Sequence, residues 1–77
     1  MGTLQSAVAA EVRAEMARRR FTGVELAAHL NLAQQSVSKR LSGGTPIDLD
    51  ELSAIAQWLG LDVLTLIERA RDAEAVA

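Results

Sequence analysis

The sequence predicts an all-α fold, a compact five-helix bundle, on three observations. Alanine and leucine dominate a chain that is 49% hydrophobic but only 3% aromatic. Apolar residues recur at helical rather than alternating spacing, and β-branched runs are absent. One start signal recurs at four points: an apolar residue, a capping position, then a second apolar residue four positions further on. Seventy-seven residues hold one core, so residues 1–77 are expected to form a single domain. With no cysteine and one histidine, neither disulfides nor a structural zinc site is expected, and stability must come from helix packing.

The first helix is predicted over residues 4–20, where Leu4, Val8, Val12 and Met16 form one apolar stripe. Glu11 and Glu15 stand at helical spacing from Arg18 and Arg19, which predicts a solvated outer face. The second helix spans 23–30. Thr22 and Glu25 form a capping box, and Phe21 and Leu26 form the hydrophobic staple. Asn31 suits the left-handed turn that follows. The third helix spans 34–42, with the staple Leu32 and Val37 but with Ala33 where a capping hydroxyl is usual. Gly43 and Gly44 end it. Asp48 and Glu51 open the fourth helix, 49–59, which Gly60 closes. Asp62 caps the fifth, 63–72, and residues 73–77 are expected to fray. The expected core is Val8, Val12, Met16, Phe21, Leu26, Ala27, Leu30, Val37, Leu41, Leu52, Ile55, Ala56, Leu59, Leu61, Val63 and Leu66.

Residues 22–43 carry the functional signal. Two short helices joined by a tight turn leave Gln34, Gln35, Ser38 and Lys39 on one face of the second. Glutamine pairs with adenine edges, lysine with guanine edges or phosphates, and serine with either. A short helix presenting these groups fits the major groove of B-DNA. The formal net charge of −2 conceals a polarised chain. Residues 18–45 hold five cations against Glu25, whereas residues 46–77 hold Arg69 and Arg71 against seven carboxylates. The basic middle coincides with the candidate face, as phosphate attraction requires.

These residues also resemble a known family. Leu26-Ala27, Asn31-Leu32, the run from Gln34 to Lys39, Gly43, and Leu59-Gly60-Leu61-Asp62 together resemble the Cro/C1-type (XRE) helix-turn-helix domains across residues 8–67. Val37 to Gly43 followed by Thr45-Pro46 looks like the variant in actinobacterial and phage regulators. The resemblance implies the lambda-repressor-like five-helix fold, with the third helix in the major groove and the second across the backbone. It implies base reading by Gln34, Gln35, Ser38 and Lys39. It places Thr22, Gly23, Ser36 and Ser42 at phosphates, and Arg40 and Thr45 join them, as do Arg19 and Arg20 at the end of the first helix. This sequence departs from the family at Gly23, often glutamine; at Asn31, usually glycine; and at Arg40, often aromatic or aliphatic.

The expected partner is double-stranded DNA carrying a palindromic operator, bound by a homodimer. Trp58, Leu64 and Ile67 are the candidate contacts between copies, because the fifth helix is more apolar than one packing face needs. The expected role is a transcriptional repressor, of phage-immunity type, acting in the bacterial or host cytoplasm. An alternative reading is a protein-interaction module, such as an antitoxin or adaptor, that uses the apolar fifth helix. His29 has no partner set that would make it a ligand or base. No nucleophile, base and pocket group together, so no enzyme, cofactor or small-molecule substrate is expected. No apolar run approaches the ~18 residues of a membrane span.

Overall fold

The computed structural model describes residues 3–76. Five helices follow in order: α1 (Leu4–Arg19), α2 (Gly23–Leu30), α3 (Gln34–Leu41), α4 (Leu49–Leu59) and α5 (Val63–Val76). There is no strand among the described residues. α1 packs along α5 and also touches α3 and α4, while α2 packs on α3 and α4.

One junction is used three times. α1, α2 and α4 each end on a residue in the left-handed conformation: Arg20 (φ 58°), Asn31 (φ 56°) and Gly60 (φ 76°). The next residue is apolar, and its amide reaches back into the helix just ended. Phe21 donates to the Met16 carbonyl at 2.9 Å, Leu32 to Ala27 at 2.9 Å and Leu61 to Ala56 at 2.8 Å. The residue after that holds the cap position of the next helix: Thr22, Ala33 and Asp62. Phe21, Leu32 and Leu61 thus close one helix and staple the next. Glycine and asparagine tolerate the left-handed conformation, whereas Arg20 adopts it at a cost of roughly 1 kcal/mol.

The caps match the sequence expectation. Thr22 and Asp48 each make a complete capping box with Glu25 and Glu51. Asp62 accepts from the Leu64 amide at 3.2 Å. Ala33 offers no side-chain cap. Thr3 caps α1 through the Ser6 amide, a start that the sequence pattern did not mark.

The core holds Val8, Val12, Met16, Leu26, Ala27, Val37, Leu52, Ile55, Ala56, Leu59 and Leu66 as expected. Phe21, Leu30, Leu41, Leu61 and Val63 form a half-buried rim around it. Ala9 and Ala70, which were not expected, are also buried. α5 runs to Val76 rather than stopping at residue 72. Within the extension, Ala73 and Glu74 line a cleft with Ala7, Ala10 and Ala14 of α1. Ala77 lies outside the described residues.

The clearest correction concerns Glu15. The sequence reading set it on a solvated face, but it is 2% exposed. Arg18 and Arg19 of its own helix donate to its carboxylate, and Arg69 of α5 does so at 2.9 Å. Burial raises the Glu15 pKa. The Arg19 hydrogen bond and the charges of Arg18, Arg19 and Arg69 outweigh it, and the net shift is downward. The ionised carboxylate therefore stabilises the fold fully above the ordinary glutamate pKa, and this contribution is lost as pH falls through the lowered folded value. Glu15→Ala is expected to cost roughly 2 kcal/mol in thermal unfolding at neutral pH. That is less than a fully buried pair is worth, because the arginines keep access to water. Unfolding followed from neutral pH to about pH 3 is expected to show a shallower acid dependence for Glu15→Gln than for the parent.

Candidate nucleic-acid interface

α2 and α3 join through Asn31, Leu32 and Ala33. The turn is tight because Asn31 reverses the chain and Leu32 is pinned to Ala27. Leu26 and Ala27 are buried beneath it, and the small Ala27 side chain lets α3 cross closely. Val37 is the one fully buried side chain of α3. Gln34, Gln35, Ser38 and Lys39 are all exposed, so the four expected base-reading residues lie on the solvent side of this helix. None of their side chains has a hydrogen-bond or ion-pair partner among the described residues.

α3 begins bare. With Ala33 at the cap, no bond is made to the amides of Gln34, Gln35 or Ser36 among the described residues. At α2, Thr22 occupies only the Glu25 amide, which leaves those of Gly23 and Val24 open. The start of α2 and the face of α3 border one cleft of about 660 Å3, walled by Gly23 and Val24 on one side and Gln34, Ser38 and Ser42 on the other. A methyl group at Gly23 would meet nothing within 4 Å. No contact within the protein therefore requires glycine there.

Several residues expected at phosphates are already engaged elsewhere. Arg40 donates through Nε and Nη2 to the two Glu51 carboxylate oxygens, both at 3.0 Å, and through Nη1 to the Ser36 carbonyl at 3.0 Å. Hydrogen bonding to Glu51 raises its pKa further. The fork ties α3 to the cap of α4, since Glu51 also accepts from the Asp48 amide. Arg19 is bound to Glu15 between α1 and α5. The Thr22 hydroxyl donates to Glu25, which leaves no hydrogen for a phosphate. Ser42 donates to the Lys39 carbonyl at 2.9 Å. Gly23 has no side chain to engage, Ser36, Thr45 and Arg20 make no such side-chain bond among the described residues, and Arg20 is exposed at the end of α1.

The three candidate dimer contacts differ in how far they are engaged within the fold. Trp58 is half-buried, 4.7 Å from Phe21 and 5.9 Å from His29 between ring centroids. Ile67 lines a separate groove with Leu4, Leu49 and Leu52, and Leu64 is exposed. His29 stacks on Trp58, and no group of residues able to hold a metal ion occurs among the described residues. None of the described helices is long and apolar enough to cross a membrane. One residue of the cleft had no local signal in the sequence. Arg13 reaches the cleft from α1 and donates to the Leu41 carbonyl at the end of α3.

The comparisons agree with this geometry. A profile of the Cro/C1-type HTH DNA-binding domain matches residues 11–72. The chain belongs to that family. Its fold is shared with solved structures of the clp gene regulator ClgR from Corynebacterium glutamicum. One has a TM-score of 0.91 and 23% identity over 97% of this chain and 80% of the other. A second has a TM-score of 0.86 and 22% identity over 95% of both chains. At that identity the likeness is one of fold. No curated protein matches the sequence.

As a Cro/C1-type domain the chain binds double-stranded DNA, and its own bonds distinguish residues that hold the domain together from residues left free. Arg40→Lys is expected to lower the thermal midpoint, because lysine loses the two-pronged bond to Glu51. It is expected to leave the salt dependence of DNA binding unchanged. Gly23→Ala is expected to raise stability by up to about 1 kcal/mol. Duplex binding measured alongside tests the expectation that Gly23 lies at a phosphate, under which the added methyl group weakens binding.

Proposed function

We propose that this domain is the operator-reading part of a transcriptional repressor, with α3 in the major groove. The observation that carries the reading is the exposure of Gln34, Gln35, Ser38 and Lys39 together on a helix with one fully buried side chain. Gln34 and Gln35 begin the helix, where side chains reach base edges, and one of them reads adenine. Ser38 and Lys39 lie a turn further on, with Lys39 at guanine or phosphate. The open amides of Gly23 and Val24, with Ser36, Thr45 and Arg20, set the register on the backbone. Arg40 and Arg19 act through the fold instead.

A protein seated in this way blocks a promoter by occupying it. That suffices for repression, including the immunity repression of a phage, and it takes place in the bacterial cytoplasm, where the DNA is. The solved ClgR structures, described as a clp gene regulator, support a regulatory role. Two copies on a palindrome would gain specificity that one short site lacks. Leu64 and the groove holding Ile67, Leu4 and Leu49 supply apolar surface for such pairing, whereas Trp58 is engaged inside the fold.

Selection of randomised duplex DNA by the purified protein is expected to enrich a palindrome whose half-site spacing places the two α3 helices. On that site, Gln35→Ala is expected to cost roughly 1–3 kcal/mol and to relax preference at one base position. Equal weakening on every sequence would show that Gln35 does not read bases.

A further inference from the structure

We propose that Arg13 of α1 is a phosphate-contacting residue, so that α1 takes part in DNA binding alongside α2 and α3. The proposal rests on the reading of α3 as the DNA-reading helix. Its basis is the company the guanidinium keeps. Arg13 is exposed at the cleft between the start of α2 and the polar face of α3, beside Gly23, Gln34, Ser38 and Ser42. No carboxylate lines that cleft, and Arg13 is its one cationic residue.

Of the other arginines near the helix-turn-helix, Arg20 also lacks an ion pair among the described residues but does not line this cleft, and three are engaged. Arg18 and Arg19 are bound to Glu15, and Arg40 to Glu51. Arg13 makes no ion pair among the described residues. Its one bond, from Nη1, goes to the Leu41 carbonyl. A guanidinium has five N–H donors in a planar fork, so four remain. The bond to the last turn of α3 fixes where the fork sits, and the carbonyls there favour a cation. A pre-positioned planar fork with free donors and no competing acid suits a phosphate oxygen pair. Lys39, on a flexible stem, has no comparable anchor. The bond to Leu41 also ties the position of α3 to the grip on the backbone.

The test uses the full chain and randomised duplex DNA, with affinity measured across a salt series. One phosphate contact contributes about 0.9 to the slope of log affinity against log salt, or roughly a 3.5-fold loss of affinity over a fourfold rise in salt. Arg13→Gln is expected to reduce the slope by that amount and to weaken binding uniformly across sequences. Arg13→Lys, which keeps the charge, is expected to retain most of the slope. Thermal unfolding of both variants reports any loss of the Leu41 tie separately. A lowered midpoint with the parental slope in Arg13→Gln would make Arg13 purely structural and overturn the proposal. Lack of salt-dependent duplex binding by the parent chain would overturn this proposal together with the operator-reading function. Parental binding with an unchanged slope in Arg13→Gln would overturn the Arg13 assignment alone.

Discussion

The position of α3 is the constraint on which the rest of the domain depends. A helix that reads DNA must keep a polar face outward, so it has little apolar surface to bury. α3 buries one side chain fully, Val37. Burial of one valine supplies roughly 1.5–3 kcal/mol, and it fixes neither the rotation of the helix nor its end. Polar ties do that. Arg40 binds Glu51 and the Ser36 carbonyl from one flank, and Arg13 binds the Leu41 carbonyl from the other. Glu51 also completes the cap of α4, so one carboxylate both starts a helix and holds its neighbour.

The same economy of apolar surface governs α1 and α5. Small residues stand where they meet: Ala70 is buried, and Ala7, Ala10 and Ala14 line a cleft with Ala73, which allows a close approach but buries little area. Glu15 with its arginines joins the two helices near this contact. Such a cluster is a modest source of net stability, because desolvation offsets much of the attraction. Its effect on function is larger. The basic middle of the chain has five cations, and the structure engages Arg18, Arg19 and Arg40 with carboxylates. The positive charge left unpaired near the helix-turn-helix among the described residues is sparser than the sequence suggests, and it includes Arg13 of α1.

Helix boundaries were legible because their causes are local. Capping boxes, staples and left-handed turn residues act over three to five positions, and Thr22, Asp48, Asn31 and Gly60 behave as their residue types dictate. The exposed polar face of α3 was legible for the same reason, since helical spacing alone groups Gln34, Gln35, Ser38 and Lys39. The engagement of individual charges was not legible. Glu15 finds Arg69 at a separation of 54 residues, and Arg40 finds Glu51 at 11. Glu15 and Arg18 look alike whether their helix face meets water or another helix. Arg20 in a left-handed turn was hidden too, since arginine carries no preference for that conformation. The extension of α5 to Val76 depends on α1 lying beside it, and no local pattern reports that.

The α1–α5 arrangement has a topological consequence. Arg69 lies by Glu15, while Ala73 and Glu74 share a surface cleft with Thr3 and Ala7, so the helices run in opposite directions. The first and last parts of the described chain therefore lie side by side. A few residues could join residue 3 to residue 74, and the polypeptide could be opened in the segment between α3 and α4 instead. In such a circular permutant the DNA-reading helix would be a chain terminus, held in place by its side-chain bonds rather than by the backbone on both sides.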